Sequence, residues 1–215
     1  MKKFVREPVN GFTHLAGAVL AFAGLLMLVI KASLVTQSAL AITAVTIFGV
    51  SMLLLYSASA TFHMVRASRK VIRFLQKMDH SMIFLLIFGT YTPFCLITLN
   101  GWVGWTVWGI VTGCAVMGIL FKFIWFKSPK WISTGLYLAM GWLIVIAFVP
   151  LLTSMPTGGL VLLIIGGISY TIGGVIYGLE PSWMKTKYLG FHEIFHLFVL
   201  AGTFTHFISI YQYVL

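Results

Sequence analysis

Two histidines four residues apart on an apolar run, His192 and His196, are the first chemistry in this sequence. On a helix they fall about one turn apart on one face and can ligate a single metal ion. A third imidazole, His63, with Ser59 four residues before it, would complete a three-histidine set whose fourth position is open to water. That arrangement belongs to catalytic rather than structural zinc. Imidazole, carboxylate and hydroxyl groups without thiolates also suit zinc better than an ion held by oxygens alone. Asp79 then has a task. A carboxylate beside the open position can hydrogen-bond the water there and accept its proton, zinc lowering that water's pKa from 15.7 towards about 7. The competing reading is a polar cluster that hydrogen-bonds helix ends and needs no metal.

These side chains stand out against an apolar background. Of 215 residues, 60% are hydrophobic and 8% charged, against about a quarter charged in an ordinary soluble domain, which excludes a water-soluble fold. Fourteen Lys and Arg face four acids, Glu7, Asp79, Glu180 and Glu193, for a formal charge of +10. Cys95 and Cys114 both lie in apolar runs and give no disulfide framework. The length fits one domain, residues 1–215. A membrane-crossing helix needs about 20 largely apolar residues, and seven runs qualify: 11–30, 38–62, 81–99, 102–121, 131–152, 158–179 and 191–214. The expected fold is all-α, a polytopic seven-transmembrane helix bundle with short connections and no soluble domain. The first run reads as a retained span, since no small-residue cleavage site in a polar setting follows Ile30.

Lys and Arg set the orientation, because short loops rich in them stay cytoplasmic. Lys2, Lys3, Arg6, the group from Arg66 to Lys77, Lys122, Lys127, Lys130, Lys185 and Lys187 all fall on one side, with Lys31 alone on the other. The N-terminus is therefore expected in the cytoplasm and the C-terminus outside. This alternation accounts for the basic loops without nucleic-acid binding. It also gathers Glu7, Asn10 and His14 of the first span, His63 of the second, Asp79 and His80 of the third, and His192, Glu193 and His196 of the seventh at one depth near the cytoplasmic boundary. Trp102, Trp105, Trp131, Tyr211 and Tyr213 fit an interfacial belt. Gly109 and Gly113, and the glycine pairs at Gly166 and Gly173, are expected to let helices approach closely. Pro93 is expected to bend the third span.

The matching elements Glu7-x-x-Asn10-x-x-x-His14, Ser59-x-x-x-His63, Asp79-His80, Gly89-Thr-Tyr-Thr-Pro-Phe94, Ala139-Met-Gly-Trp142 and His192-x-x-x-His196 followed by Leu197-Phe-Val-Leu-Ala-Gly202 run through nearly the whole chain. Together they resemble the hemolysin III proteins of bacteria, within the progestin and adiponectin receptor group, which is similar in motif to alkaline ceramidases. The resemblance implies a seven-helix protein of the bacterial cell membrane, N-terminus inside, with zinc on His63, His192 and His196. It implies Asp79 holding the water and Ser59 beside it as the catalytic pair. It also implies hydrolysis of a lipid amide or ester, with membrane lipids as substrate or ligand and a role in membrane-lipid homeostasis. Receptor-like lipid sensing with a structural zinc, and haemolytic pore formation, are the other functions the group suggests.

One departure bears on mechanism. His192-Glu193-x-x-His196 literally matches the zinc-protease pattern in which Glu is the general base. Glu193 lies about 100° around the helix from His192, and a solvated or salt-bridged edge role, facing Lys185, Lys187 or water, is the preferred expectation for it. His14 and Asn10 are expected to cap the first helix or line the cavity, and His80 to act as an outer donor. His206 is about 15 Å beyond His196 along the axis and cannot share its metal.

Overall fold

The computed structural model describes residues 5–181 and 190–215. Lys2, Lys3, Lys185 and Lys187 lie outside the described residues. Among those described, the chain is helical with no strand. The elements are α1 (Pro8–Val35), α2 (Ala39–Met64), α3 (Arg69–Pro93), α4 (Gly101–Ile124), α5 (Lys130–Gly141), α6 (Phe148–Ser154), α7 (Thr157–Leu179) and α8 (Phe191–Ser209). A π-helical segment, Phe94–Leu99, continues α3, a 3₁₀ segment, Trp142–Ala147, joins α5 to α6, and a second π-helical segment, Ile210–Val214, continues α8. Counted with these continuations, seven helical segments are long and apolar enough to cross a membrane. Large aliphatic side chains such as Leu34, Ile124 and Val149 stand on the outside of the bundle, as helices facing lipid require.

The third span departs most from expectation. Its apolar run begins at Ser81, but the helix starts twelve residues earlier at Arg69. Ser68 caps it by accepting from Val71 N, and the Lys, Arg, Gln and Met that follow are good helix formers. Asp79 and His80 therefore sit inside a helix, two turns and more from its start, instead of at a loop edge.

Neighbours in sequence lie side by side from α1 to α4, α7 rests on α5 and α8, and α8 returns to α1. One apolar core, containing Leu28, Phe48, Tyr56 and Ile210, joins α1, α2 and α8. A second, containing Phe84, Tyr91, Val111 and Ala147, joins α3, α4 and the fifth span. Two helix contacts depend on missing side chains: a Cβ on Gly89 would sit 2.0 Å from Ser51 Oγ, and one on Gly166 would sit 2.3 Å from the His206 ring. Gly109 and Gly113 correct the expectation made for them, because a Cβ on either would meet nothing within 4 Å. They face the outside of the bundle and bring no helix closer.

Pro93 ends α3 and the chain continues as a wider π-helical turn, which accommodates its missing N–H. Two residues earlier, the Tyr91 hydroxyl meets the carbonyls of Met140 and Gly141 and accepts from Ile144 N. It thus ties the third span to the point where α5 changes to 3₁₀ geometry. The ends of the bundle are pinned separately. Far from the histidines, Lys31 donates to the Tyr211 carbonyl and lies over its ring at 4.4 Å.

Candidate metal centre

His63 occupies the last turn of α2, and His192 and His196 the first turns of α8. Their ring centroids lie 4.8 to 5.1 Å apart, and one ligand atom from each falls within 4.8 Å of the others. His63 and His196 are 1% and 2% exposed. His63 Nε2 and His196 Nδ1 are buried without a hydrogen-bond partner, a costly state for polar atoms in an apolar interior. Three imidazoles with ligand atoms this close, two of them carrying an unpartnered buried nitrogen, suit a zinc ion, whose Zn–N bonds are about 2.0 to 2.1 Å.

Glu7 sets the orientation of His63. Its Oε2 lies 2.5 Å from His63 Nδ1, and its backbone N donates to the His63 carbonyl at 3.0 Å. With Nδ1–H donated to the carboxylate, the lone pair of Nε2 is the one left for a metal. Carboxylate partners of this kind commonly fix metal-bound histidines. The other oxygen, Glu7 Oε1, accepts from Arg6 Nε at 3.1 Å, and the Arg6 guanidinium lies 4.3 Å over the Phe62 ring. Burial alone would raise the Glu7 carboxyl, but the hydrogen bond from His63 and the neighbouring Arg6 guanidinium outweigh it and hold the pKa below its ordinary value. Nothing in the sequence order ties Glu7 to His63. The available signal was its rarity, as one of four acids at the same end of the bundle.

Glu193 is neither a solvated edge residue nor placed as a free base. Its Oε2 accepts from Gly190 N at 2.9 Å, capping the start of α8, and its Oε1 accepts from Asn10 Nδ2 at 3.0 Å. One oxygen caps α8 and the other holds it to α1. Asn10, for its part, makes this bond across the bundle instead of capping α1, whose N-cap is Glu7. His14, four residues further along, is buried, stacks on His196 with centroids 3.6 Å apart and planes 11° apart, and lines the adjoining cavity.

That cavity holds about 190 Å³ and is lined by His192, His196, Asp79 and Ser59 among others. Asp79 is 8% exposed, and Ser59 approaches its carboxylate, although Ser59 Oγ completes no hydrogen bond. The fold thus gathers all five residues expected for the site, from α2, α3 and α8. His80 also lines the cavity, and its carbonyl accepts from the Tyr137 hydroxyl. His206 stands apart, with Nε2 3.0 Å from the Leu163 carbonyl. A second cavity of about 420 Å³, walled almost wholly by apolar side chains, shares Leu55, Ile83, Tyr137, Tyr177, Phe195 and Val199 with the first. Together they join a polar pocket beside the histidines to an apolar one deeper in the bundle.

A family described as "Haemolysin-III related" matches residues 2–207. The chain is similar to Hemolysin-3 of Bacillus cereus, with 42% identity over 216 aligned residues that cover 100% of this chain and 95% of that protein. It is likewise similar to a Hemolysin-3 homolog of Bacillus subtilis (strain 168), 42% identical over 207 residues, covering 96% and 93%. A more distant similarity, 28% over 181 residues covering 78% and 68%, is to the human Monocyte to macrophage differentiation factor.

Proposed function

The chain belongs to the haemolysin-III-related family, and from that membership and the histidine cluster we propose a zinc-dependent hydrolase of a lipid amide or ester in the bacterial cell membrane. In this reading the histidine end of the bundle is cytoplasmic, with the N-terminus inside and the C-terminus outside, and the activity serves membrane-lipid homeostasis. One observation carries the proposal. Three mutually close histidines, two of them with an unpartnered buried nitrogen, adjoin a cavity that His192 and His196 line together with the Asp79 carboxylate and that shares a wall with a larger apolar one.

His63, His192 and His196 would hold the ion, Glu7 keeping His63 in the ligating tautomer. Bound zinc supplies a Lewis acid for the acyl carbonyl and makes water a nucleophile near neutral pH. The rest falls to the chain. The apolar cavity takes the acyl chain, and its shared wall brings the carbonyl towards the histidines. Asp79 accepts the proton that water gives up as its oxygen bonds to the carbonyl carbon. The same proton passes to the leaving nitrogen or oxygen when the acyl bond breaks, so a fatty acid and the free amine or alcohol are released and Asp79 is ionised again. Ser59, next to Asp79, is a hydroxyl able to steady that carboxylate or the developing charge.

The test is Asp79→Asn in purified protein, with released fatty acid followed by mass spectrometry over a panel of lipid amides and esters. Turnover should fall at least a hundredfold, within the range ascribed to a positioned general base, while bound zinc stays at the wild-type level. Full activity in the variant would refute the assignment. A receptor with structural zinc needs no carboxylate at this point, and its signature would be zinc-dependent folding with no lipid consumed by the wild type.

A further inference from the structure

The four acids of this chain leave one buried cation without a counter-charge. Glu7 is used by Arg6 and His63, Glu193 by Asn10 and Gly190, and Glu180 by Lys130, while Asp79, beside Ser59, is in ion-pair contact with no Lys or Arg among the described residues. Among the described residues Lys122 is the only Lys or Arg that is buried, at 3% exposure, and no carboxylate lies within ion-pair distance of it. An ammonium removed from water without a partner is strongly disfavoured. Snorkelling, the usual recourse of a lysine near a membrane surface, would leave the Nζ in solvent, and here it is enclosed. Its place in the last turn of α4 is favourable to the helix dipole, but that effect amounts to a fraction of such a cost.

Lys122 lines the same cavity as His192, His196 and Asp79. Its Nζ donates to Ser133 Oγ, and Ser128 Oγ lies 3.1 Å from that same hydroxyl. One donor is thus satisfied, and the ammonium also lies 5.9 Å from the Phe121 and Tyr137 ring centroids, contacts that leave it without a counter-charge. Ser133 belongs to the first turn of α5, whose N-cap, Pro129, supplies no capping side chain. The positive end of that helix therefore adds to the ammonium and the two hydroxyls. The histidines come from α2 and α8, and this group comes from α4 and α5, so a molecule reaching both must extend across the pocket. Beyond the shared wall lies the apolar cavity of about 420 Å³.

We propose that the site takes a lipid with a phosphate-bearing head group, its phosphate on Lys122, Ser133 and Ser128 and its acyl chain in the apolar cavity. This deepens the hydrolase reading by naming the substrate class, and rests on that reading only for which bond is cut. Binding can be measured without turnover.

Purified wild-type protein in a neutral detergent is titrated with dioleoyl phosphatidic acid and with dioleoylglycerol, which shares its chains and lacks the phosphate, before and after treatment with EDTA. The wild type should prefer phosphatidic acid by about tenfold or more, the scale of one buried charge-assisted contact. Lys122→Gln should lose most of that preference, with zinc content and dioleoylglycerol affinity unchanged, and Lys122→Arg should keep it. Lys122→Met, which removes the buried charge outright and is the less demanding change for folding, reads the same loss if the glutamine variant cannot be purified. Equal affinity for the two lipids, or a preference that survives loss of the charge, overturns the proposal. Displacement of phosphatidic acid by an equal concentration of inorganic phosphate overturns it too, by marking a free-anion site. Failure of the Asp79→Asn test would leave this preference standing, and absence of the preference would leave hydrolysis of a neutral lipid standing.

Discussion

Glu7 and His63 are 56 positions apart and meet through two hydrogen bonds, one from the backbone and one from the side chain. The consequence is a ligand whose tautomer is fixed before any ion arrives. Glu7→Gln should keep the backbone bond and lose the carboxylate, weakening zinc binding by about 10 to 100-fold, as measured by competition with a chelator of known affinity. Unchanged affinity would mean that His63 needs no such support. The candidate ligands themselves were legible in the sequence: helical spacing pairs His192 with His196, and the distribution of basic loops puts His63 and Asp79 at the same depth. The partner of each acid was not legible. Glu193 is four positions from no base, and only the folded approach of α1 to α8 brings Asn10 to it. Lys122 likewise reads as one basic loop residue among many until α5 folds over it.

At the scale of elements, hydropathy located the seven spans well because a bilayer demands long apolar runs, and it failed where a helix continues past the apolar part. The third helix is the instance. Its first turns are basic and polar, so an apolar window ends at Ser81 while the hydrogen-bonded ladder runs back to Arg69. Small-residue spacing was an unreliable guide to helix contacts for a related reason: Gly109 and Gly113 share a face, but the sequence does not say whether that face looks at a helix or at lipid. The distinction can be measured by thermal unfolding in detergent. Gly89→Ala, which drives a methyl into Ser51 Oγ, should destabilise by about 1 to 3 kcal/mol, and adding Ser51→Gly should restore part of the loss. Gly113→Ala should be neutral or stabilising by up to about 1 kcal/mol through helix propensity. Equal effects at the two glycines would contradict the packing described.

For the whole molecule, the ring of helices encloses a polar pocket at the basic end, with an apolar cavity behind it, and an outer surface suited to lipid. In the orientation proposed, a site so placed would meet head groups of the cytoplasmic leaflet. The proposed orientation rests on the positive-inside rule and has its own test. In a Cys114→Ser background, a cysteine at Ser154 should react with a membrane-impermeant thiol reagent in intact cells, and a cysteine at Ala67 should react only after lysis; both positions are exposed. The reverse pattern would put the histidines on the outer face.

The proposed hydrolysis depends on an ion at the three histidines. Metal analysis of the purified wild-type protein beside a His63→Ala, His192→Ala, His196→Ala variant measures it directly. The account predicts one zinc ion per wild-type chain and none in the variant, and equal metal in the two preparations would contradict it.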